Sequence, residues 1–416
     1  MSSSHLTLHI ISMHTDPFAQ PGNGSAGGMN VYIARSLAAM MALDDSLQVE
    51  VFTLALGEPS PLPAALAPYA ERIATHRIEC PGFETASRDE QHLFVTDFAR
   101  GCLQAARQTP DIIHAHYWLS ALTALEISRS YSAQGQSEIP VIFTPHTTAA
   151  TKDARRGEHE PAEPAYRYEG EEKILRSVAL SIVNTPLEAA DISRYYSVPV
   201  KNLAVVAPGV DISIFRPEPS IQRDHAGSST TSSLYFAGRA APLKGAHLLV
   251  EALPYLPADI SVDLHMMSDI DSDYMRALGR RAEELGLGER VYLRPSAPPH
   301  KLAEYFQHAD IVACPSSSET FGLVALESQA CGAAVLASDA DGLRYAVENN
   351  VSGMLVAERT ASAWAAAIEY LVRNPSLREQ LGKRAAQRAR RFSWEATASS
   401  LLEYYRQFAV AESGER

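Results

Sequence analysis

Cysteine is scarce in this chain of 416 residues, which has only Cys80, Cys102, Cys314 and Cys331. The four are widely scattered and form no C-x-x-C or Cys/His metal spacing, and Cys314 and Cys331 lie in apolar segments. That excludes a disulfide scaffold and points to reduced thiols in a cytoplasmic protein. Long apolar runs are also missing. No stretch approaches about 18 residues and no charged-then-apolar leader opens the chain, so neither a membrane span nor secretion is expected. Positive charge is in deficit: 36 Lys and Arg face 49 Asp and Glu, for a net charge of −13. This argues against a general nucleic-acid or anionic-membrane surface. An anionic ligand would have to be held by local groups, so individual Arg and Lys positions carry information.

The rest of the composition, 46% hydrophobic and 20% charged, is that of an ordinary globular protein. The length predicts about two domains of roughly 150 residues each, with extra helices. Strand-like runs alternate with helical patterns nearly throughout, the signature of parallel sheets covered on both faces. Strands are expected at 6–13, 48–56, 111–117, 141–144, 179–185 and 203–207, then again at 234–237, 262–267, 291–294, 311–314, 334–337 and 354–356. The polar run IQRDHAGSSTTSS, residues 221–233, reads as a linker between a first domain (1–220) and a second (234–393). A final amphipathic helix is expected within 394–416. Residues 149–164 are polar and charged and read as a loop.

The most informative stretch is PSSSETFGLVALESQACG, residues 315–332. It follows the apolar run Asp310–Cys314 and gives way to a helical pattern from about Phe321. The free N–H groups and positive dipole end of a helix starting there would seat a phosphate. Glu319 precedes this helix and Glu327 lies eight residues on, about two turns in. Ionised carboxylates only accept hydrogen bonds, so such a pair suits hydroxyl-rich partners. The bland alternative is a helix with acidic residues near its start, which the dipole favours anyway. Upstream, Gly238-Arg239 and Lys244-Gly245 put two cations on the first loop of the second domain, within reach of a diphosphate.

In the first domain, the loop HTDPFAQPGNGSAGG (His14–Gly28) joins a first strand to its helix, and its glycines let a ligand approach the backbone. Its spacing is not G-x-G-x-x-G, so a dinucleotide fingerprint is not supported. His114 and His116 alternate along one strand. No third ligand accompanies them, so packed or hydrogen-bonded imidazoles are expected in preference to a metal pair. His146 ends another strand, where such sheets gather their ligands.

Taken together, Gly238-Arg239, Lys244-Gly245 and Glu319-x7-Glu327 resemble the retaining GT-B glycosyltransferases of family 4. GGMNVY (Gly27–Tyr32), HAHYWLSA (His114–Ala121) and PHTTAATKD (Pro145–Asp153) are similar to the D-inositol-3-phosphate glycosyltransferases and, less closely, the sucrose-phosphate synthases. The resemblance spans essentially the whole chain. It implies an α/β GT-B fold: two Rossmann-like domains facing across a cleft, with the C-terminal helix returning to the first. It implies that Arg239 and Lys244 hold a UDP diphosphate and Glu327 the ribose. Glu319, with the backbone amides of Phe321, Gly322 and Leu323, would engage the donor sugar and β-phosphate, and Gly28 would sit against the diphosphate. His146 would lie near the anomeric carbon, with His14 and Asn30 facing the acceptor. Arg88, Tyr117, Thr147 and Arg167 would bind the acceptor's phosphate. The resemblance further implies chemistry without a metal or other cofactor, with the UDP-sugar as co-substrate. The leaving phosphate oxygen would act as base, and the configuration would be retained. Relatives that pair through the first domain make a homodimer a further expectation.

The chain departs from the family pattern at four places. Ser25 stands for an Asp, Arg88 for a Lys and Ala297 for an Arg, and Met266-Met267-Ser268 stands where Gly-Gly is usual. These bear on the donor base, donor sugar and acceptor, not on fold or reaction type. Of the competing readings, transfer to a sugar phosphate keeps the same chemistry. A non-catalytic nucleotide-sugar binder would have little need of Arg239, Lys244, Glu319 and Glu327 together. An epimerase would need acid/base carboxylates in the first domain, and none stands out.

Overall fold

The computed structural model describes residues 5–20, 26–156, 162–218 and 231–413. Two compact units emerge, one of residues up to 20, 28–207 and from 394 onward, the other mainly of 208–393.

The first unit is a parallel sheet of β1 (Leu6–Ser12), β2 (Leu47–Leu54), β3 (Ile73–Ile78), β4 (Ile112–His116), β5 (Val141–Thr144), β6 (Leu180–Val183) and β7 (Leu203–Val205), in the order β3-β2-β1-β4-β5-β6-β7. Its helices are α1 (Gly28–Leu43), α2 (Val95–Ala105), α3 (Trp118–Ala133), α4 (Ala149–Ala154), α5 (Ala165–Ser177) and α6 (Pro186–Tyr196). The second unit repeats the plan. It has β8 (Thr231–Ala237), β9 (Ser261–Ser268), β10 (Val291–Pro295), β11 (Ile311–Cys314), β12 (Ala334–Ser338) and β13 (Met354–Val356), in the order β10-β9-β8-β11-β12-β13. Around it lie α7 (Ala246–Ala252), α8 (Asp273–Glu284), α9 (Pro299–His308), α10 (Leu323–Ala330), α11 (Leu343–Ala346), α12 (Ala361–Arg373) and α13 (Pro375–Ala389). The chain ends in α14 (Trp394–Ser413), which belongs to the first unit.

Strand alternation explains why both sheet faces need cover. Leu6, Leu8 and Ile10 of β1 enter one core with Val49 and Val51, whereas Ile11 enters the opposite core with Phe52, Phe98 and Phe143. The first of these faces is closed by Ile33, Leu37 and Met41 of α1 together with Ala398, Leu401, Leu402 and Tyr405 of α14. Each leucine so buried is worth about 2 kcal/mol. Polar bonds tie α14 down as well: Thr397 Oγ1 donates to the Ala207 carbonyl (2.7 Å) and Arg406 Nη2 to Asp44 Oδ2 (2.8 Å).

The structure departs from the sequence reading at the domain junction and at one loop. Thr231, Ser232 and Ser233, expected in the linker, begin β8 and pair with Ser261, Val262 and Asp263, while the rest of that linker lies outside the described residues. Residues 208–218 pack with the second unit, where the Val210 N–H donates to the Phe392 carbonyl (3.0 Å). Residues 149–154, expected as loop, form α4, whose N-cap Thr148 accepts from the Thr151 N–H (3.4 Å).

In each sheet the strand order reverses once, between β1 and β4 and between β8 and β11. Loops leaving the carboxyl ends of such a pair diverge and open a crevice, where ligands of this fold class bind. The sequence motifs singled out above fall at these two places.

Candidate active site

At the first switch point, β4 and β5 end in residues with unusual backbone. Tyr117 (φ 75°) follows β4 and His146 (φ 57°) follows β5, both left-handed without being glycine. Such conformations cost about 1–3 kcal/mol each and cluster at functional edges. They gather imidazoles and aromatics into one group. His114 Nδ1 meets the Tyr405 hydroxyl at 2.6 Å and its Nε2 meets Thr144 Oγ1 at 2.8 Å, so both its nitrogens are engaged by hydroxyls. His116 Nδ1 lies 2.9 Å from His146 Nε2. Tyr32 of α1 packs edge-on to His146 at 5.3 Å, and the His14 ring lies 4.4 Å from that of Tyr117. Burial pushes the imidazoles down, His114 and His146 each to about 3 and His116 well below its ordinary value. Neighbouring rings reinforce the shift for His116 and His146. Near neutral pH these rings are therefore uncharged. A neutral imidazole has one N–H, so one of His116 and His146 donates to the other, which couples their tautomers: both carry the proton on Nδ1 or both on Nε2.

Beside this cluster, three cations from separate elements meet one carboxylate. Arg88 Nη2 lies 3.1 Å from Glu163 Oε1, Lys152 Nζ of α4 bonds the same oxygen, and Arg167 Nη1 of α5 lies 2.7 Å from Oε2. Arg167 is buried; its Nε donates to Glu171 Oε1 (2.8 Å), its Nη2 reaches the Thr147 carbonyl (3.3 Å), and its guanidinium lies 5.1 Å from the Tyr117 ring centre. Burial alone would raise the Glu163 carboxyl, but Arg167 and Lys152 outweigh it and hold it near about 2.

At the second switch point, the loop after β8 and the loop after β11 are locked together. The Ser317 N–H donates to the Leu243 carbonyl (2.8 Å), and the loop after β12 ties in as well, its Gly342 N–H donating to the Glu319 carbonyl (2.8 Å). Gly245 (φ 74°) allows the contact, because a Cβ there would sit 2.1 Å from the Pro315 carbonyl oxygen. Helix α10 begins at Leu323 after Gly322 (φ 99°), two residues later than the helical pattern predicts. Phe321 is buried and packs at 5.6 Å against Phe392. Glu319 accepts from Lys244 Nζ and, at 2.9 Å, from Ser316 Oγ. The strand end Met266-Met267-Ser268 is buried, and Ser268 Oγ donates to the Gly238 carbonyl (2.8 Å), bracing the first turn of the cationic loop.

Two family models match successive parts of this chain: the glycosyl transferase 4-like domain over residues 27–209 and the glycosyl transferases group 1 over 218–388. D-inositol 3-phosphate glycosyltransferases are similar along nearly its full length. That of Segniliparus rotundus is 35% identical over 406 residues, covering 95% of this chain and 88% of the relative. That of Frankia alni is 36% identical over 408 residues, covering 95% and 98%. The chain is a retaining glycosyltransferase of family GT4. Among solved structures, a sucrose-phosphate synthase from Thermosynechococcus elongatus superposes with a TM-score of 0.85 at 26% identity, over 98% of the enzyme and all of the neighbour. Anabaena HepE, solved with UDP and glucose, shares the fold with a TM-score of 0.71 at 19% identity, over 97% of the enzyme and all of the neighbour. The fold is GT-B, and GT4 enzymes use nucleotide-sugar donors. Among the described residues no helix is long and apolar enough to cross a membrane, and no group of three or more His, Cys, Asp or Glu is placed to hold a metal ion.

The glycosyltransferase groups the sequence-derived residues into two sets. Arg239, Lys244, Glu319, Phe321, Gly322, Leu323 and Glu327 lie on the loops after β8 and β11 or on α10. His14, Tyr117, His146, Thr147, Arg88 and Arg167 collect at the carboxyl edge of the first sheet, and Gly28 opens α1. Asn30 is buried, and its Nδ2 donates to the Asp16 carbonyl (2.7 Å), so one of its bonds shapes the β1 loop. Ser25 lies outside the described residues. Sequence reasoning missed Lys152 and Glu163, both within the stretch read as loop. The Thr148 cap ahead of AATKDA was the signal available for Lys152.

Proposed function

We propose that the enzyme transfers a hexose or N-acetylhexosamine from a UDP-sugar, with UDP-GlcNAc leading, to a small phosphorylated polyol, with 1D-myo-inositol 3-phosphate leading. The observation that carries this is the convergence of Arg88, Lys152 and Arg167 beside Thr147 and Tyr117, an anion-binding arrangement in a protein of net charge −13. The full-length similarity to D-inositol 3-phosphate glycosyltransferases supports the same pair. Arg239 and Lys244 would hold the diphosphate and Glu327 the ribose. Glu319 and the amides at the start of α10 would engage the sugar and β-phosphate. Charge building on the departing UDP would then meet preorganised donors. His146 would stand near the anomeric carbon as a neutral imidazole. The similarity to a sucrose-phosphate synthase favours a second reading, the same transfer to a sugar phosphate.

The test is UDP release from UDP-GlcNAc with inositol phosphate, inositol or a hexose phosphate. Release only with inositol phosphate is expected. Release only with a hexose phosphate would install the second reading, and no release with any would overturn both. Arg88→Ala should raise the KM for the phosphorylated acceptor about tenfold or more while leaving donor KM unchanged, the loss of one charge-assisted bond at an open position. A defect confined to the donor side would remove Arg88 from the acceptor site.

A further inference from the structure

Three cations in one place normally repel, and here they are held together by a carboxylate of the chain itself. Glu163 accepts from Lys152 on one oxygen, from Arg167 on the other and from Arg88 on both, using donors that the proposed function gives to the acceptor's phosphate. Its side chain is 7% exposed and that of Arg167 2%, whereas that of Arg88 is 65% exposed, so the cradle is closed at Arg167 and open at Arg88. The Glu163 N–H is anchored at 3.0 Å to Asp153 Oδ1, and Tyr168 holds the other oxygen of Asp153 at 2.8 Å. Arg167 is braced from behind by Glu171, which also accepts from the Ala149 N–H (2.8 Å) and the Tyr196 hydroxyl. With Glu171 satisfying the Nε end of Arg167, Glu163 takes its Nη1 group.

We infer that Glu163 is a placeholder anion and a specificity-determining residue: its carboxylate keeps the Arg88–Lys152–Arg167 cradle assembled without acceptor and must be displaced by the acceptor's phosphate. This rests on the proposed acceptor class. A phosphate monoester brings up to two charges and three acceptor oxygens to the same donors and can replace a single carboxylate. A neutral hydroxyl cannot. Competition with Glu163 therefore rejects unphosphorylated polyols, and it weakens phosphate binding below what three cations would otherwise give.

The experiment titrates the full chain with inorganic phosphate by calorimetry, comparing wild type with Glu163→Gln and Glu163→Asp, and measures acceptor KM for each. In Glu163→Gln, phosphate should bind about tenfold tighter or better, and KM should fall for the phosphorylated acceptor but not for its unphosphorylated form. Glu163→Asp, which keeps the charge on a shorter arm, should fall between the two. Phosphate affinity that is unchanged or weaker in Glu163→Gln would overturn the inference and make Glu163 a structural counter-ion. If that variant does not fold, wild-type affinity in Glu163→Asp would overturn it equally. Tighter phosphate binding with no turnover of any phosphorylated acceptor would uphold the placeholder and remove the acceptor assignment.

Discussion

Replacing Lys244 by alanine is expected to lower kcat/KM roughly 30- to 900-fold, the loss of about 2–4 kcal/mol of transition-state stabilisation that follows removal of one preorganised donor. Lys244 ends the loop after β8, at the reversal of the second sheet, and its side chain is 16% exposed. Its partner there is Glu319, so the substitution also strips a half-buried carboxylate of its counter-ion, and the two effects must be separated. A paired replacement, Lys244→Met with Glu319→Gln, removes both charges at once and should recover thermal stability without recovering turnover. UDP-release kinetics with melting curves on both variants decide the matter. Near-normal turnover in Lys244→Ala would overturn the diphosphate role proposed for it. Turnover that tracks only the melting temperature would leave Lys244 as a structural partner of Glu319.

Mild acid should destabilise the first unit steeply. His9 of β1 is held to about 4, chiefly by burial, and His114 and His146 to about 3, with His116 shifted in the same direction. In the unfolded chain these imidazoles take protons near pH 6.5. Below that pH the unfolded state binds up to four more protons than the folded one, so stability falls as pH falls. Each group contributes about 1.4 kcal/mol per pH unit, or roughly 4–5 in all once the partial exposure of His146 is allowed for. This stability is fully present above about pH 6.5 and is lost toward the folded-state values near 3–4. Glu163, held near about 2, adds a loss of the same sign only below the ordinary carboxylate range. With a total stability of about 5–15 kcal/mol, the unit should lose its folded state between about pH 5.5 and about pH 3.5. Urea titrations at pH 7, 6 and 5 measure the slope directly. A flat profile would mean that these rings are already protonated in the fold.

What could be read in advance follows from burial. Val141–Thr144 and Ile311–Cys314 match their strands from end to end, because a strand covered on both faces is a continuous apolar run. β3, IATHRI, gave no such run; as an edge strand it mixes polar with apolar side chains, and it went unrecognised. Helix α4 was hidden by its own polarity, and with it Lys152. Long-range pairings were beyond reach. Glu319 and Lys244 are 75 residues apart, and Arg88 meets Glu163 across another 75, so only the sheet topology brings them together. The strand-end positions of His116 and His146 were legible. Their mutual bond, and the Tyr405 hydroxyl on His114, were not.

That last contact sets an order of events during synthesis. Tyr405 and Leu401 complete the core of the first unit, yet they are made after the whole of the second. While the ribosome is still translating β8 to β13, the nascent first unit has its sheet but lacks the helix that covers Ile33, Leu37 and Met41 and that bonds His114. It must wait, with an open greasy seam and with His114 bonded only through Nε2 to Thr144, until the second unit has left the exit tunnel. The two halves of this enzyme therefore cannot mature one after the other, and the final helix acts as the latch that finishes the part begun first.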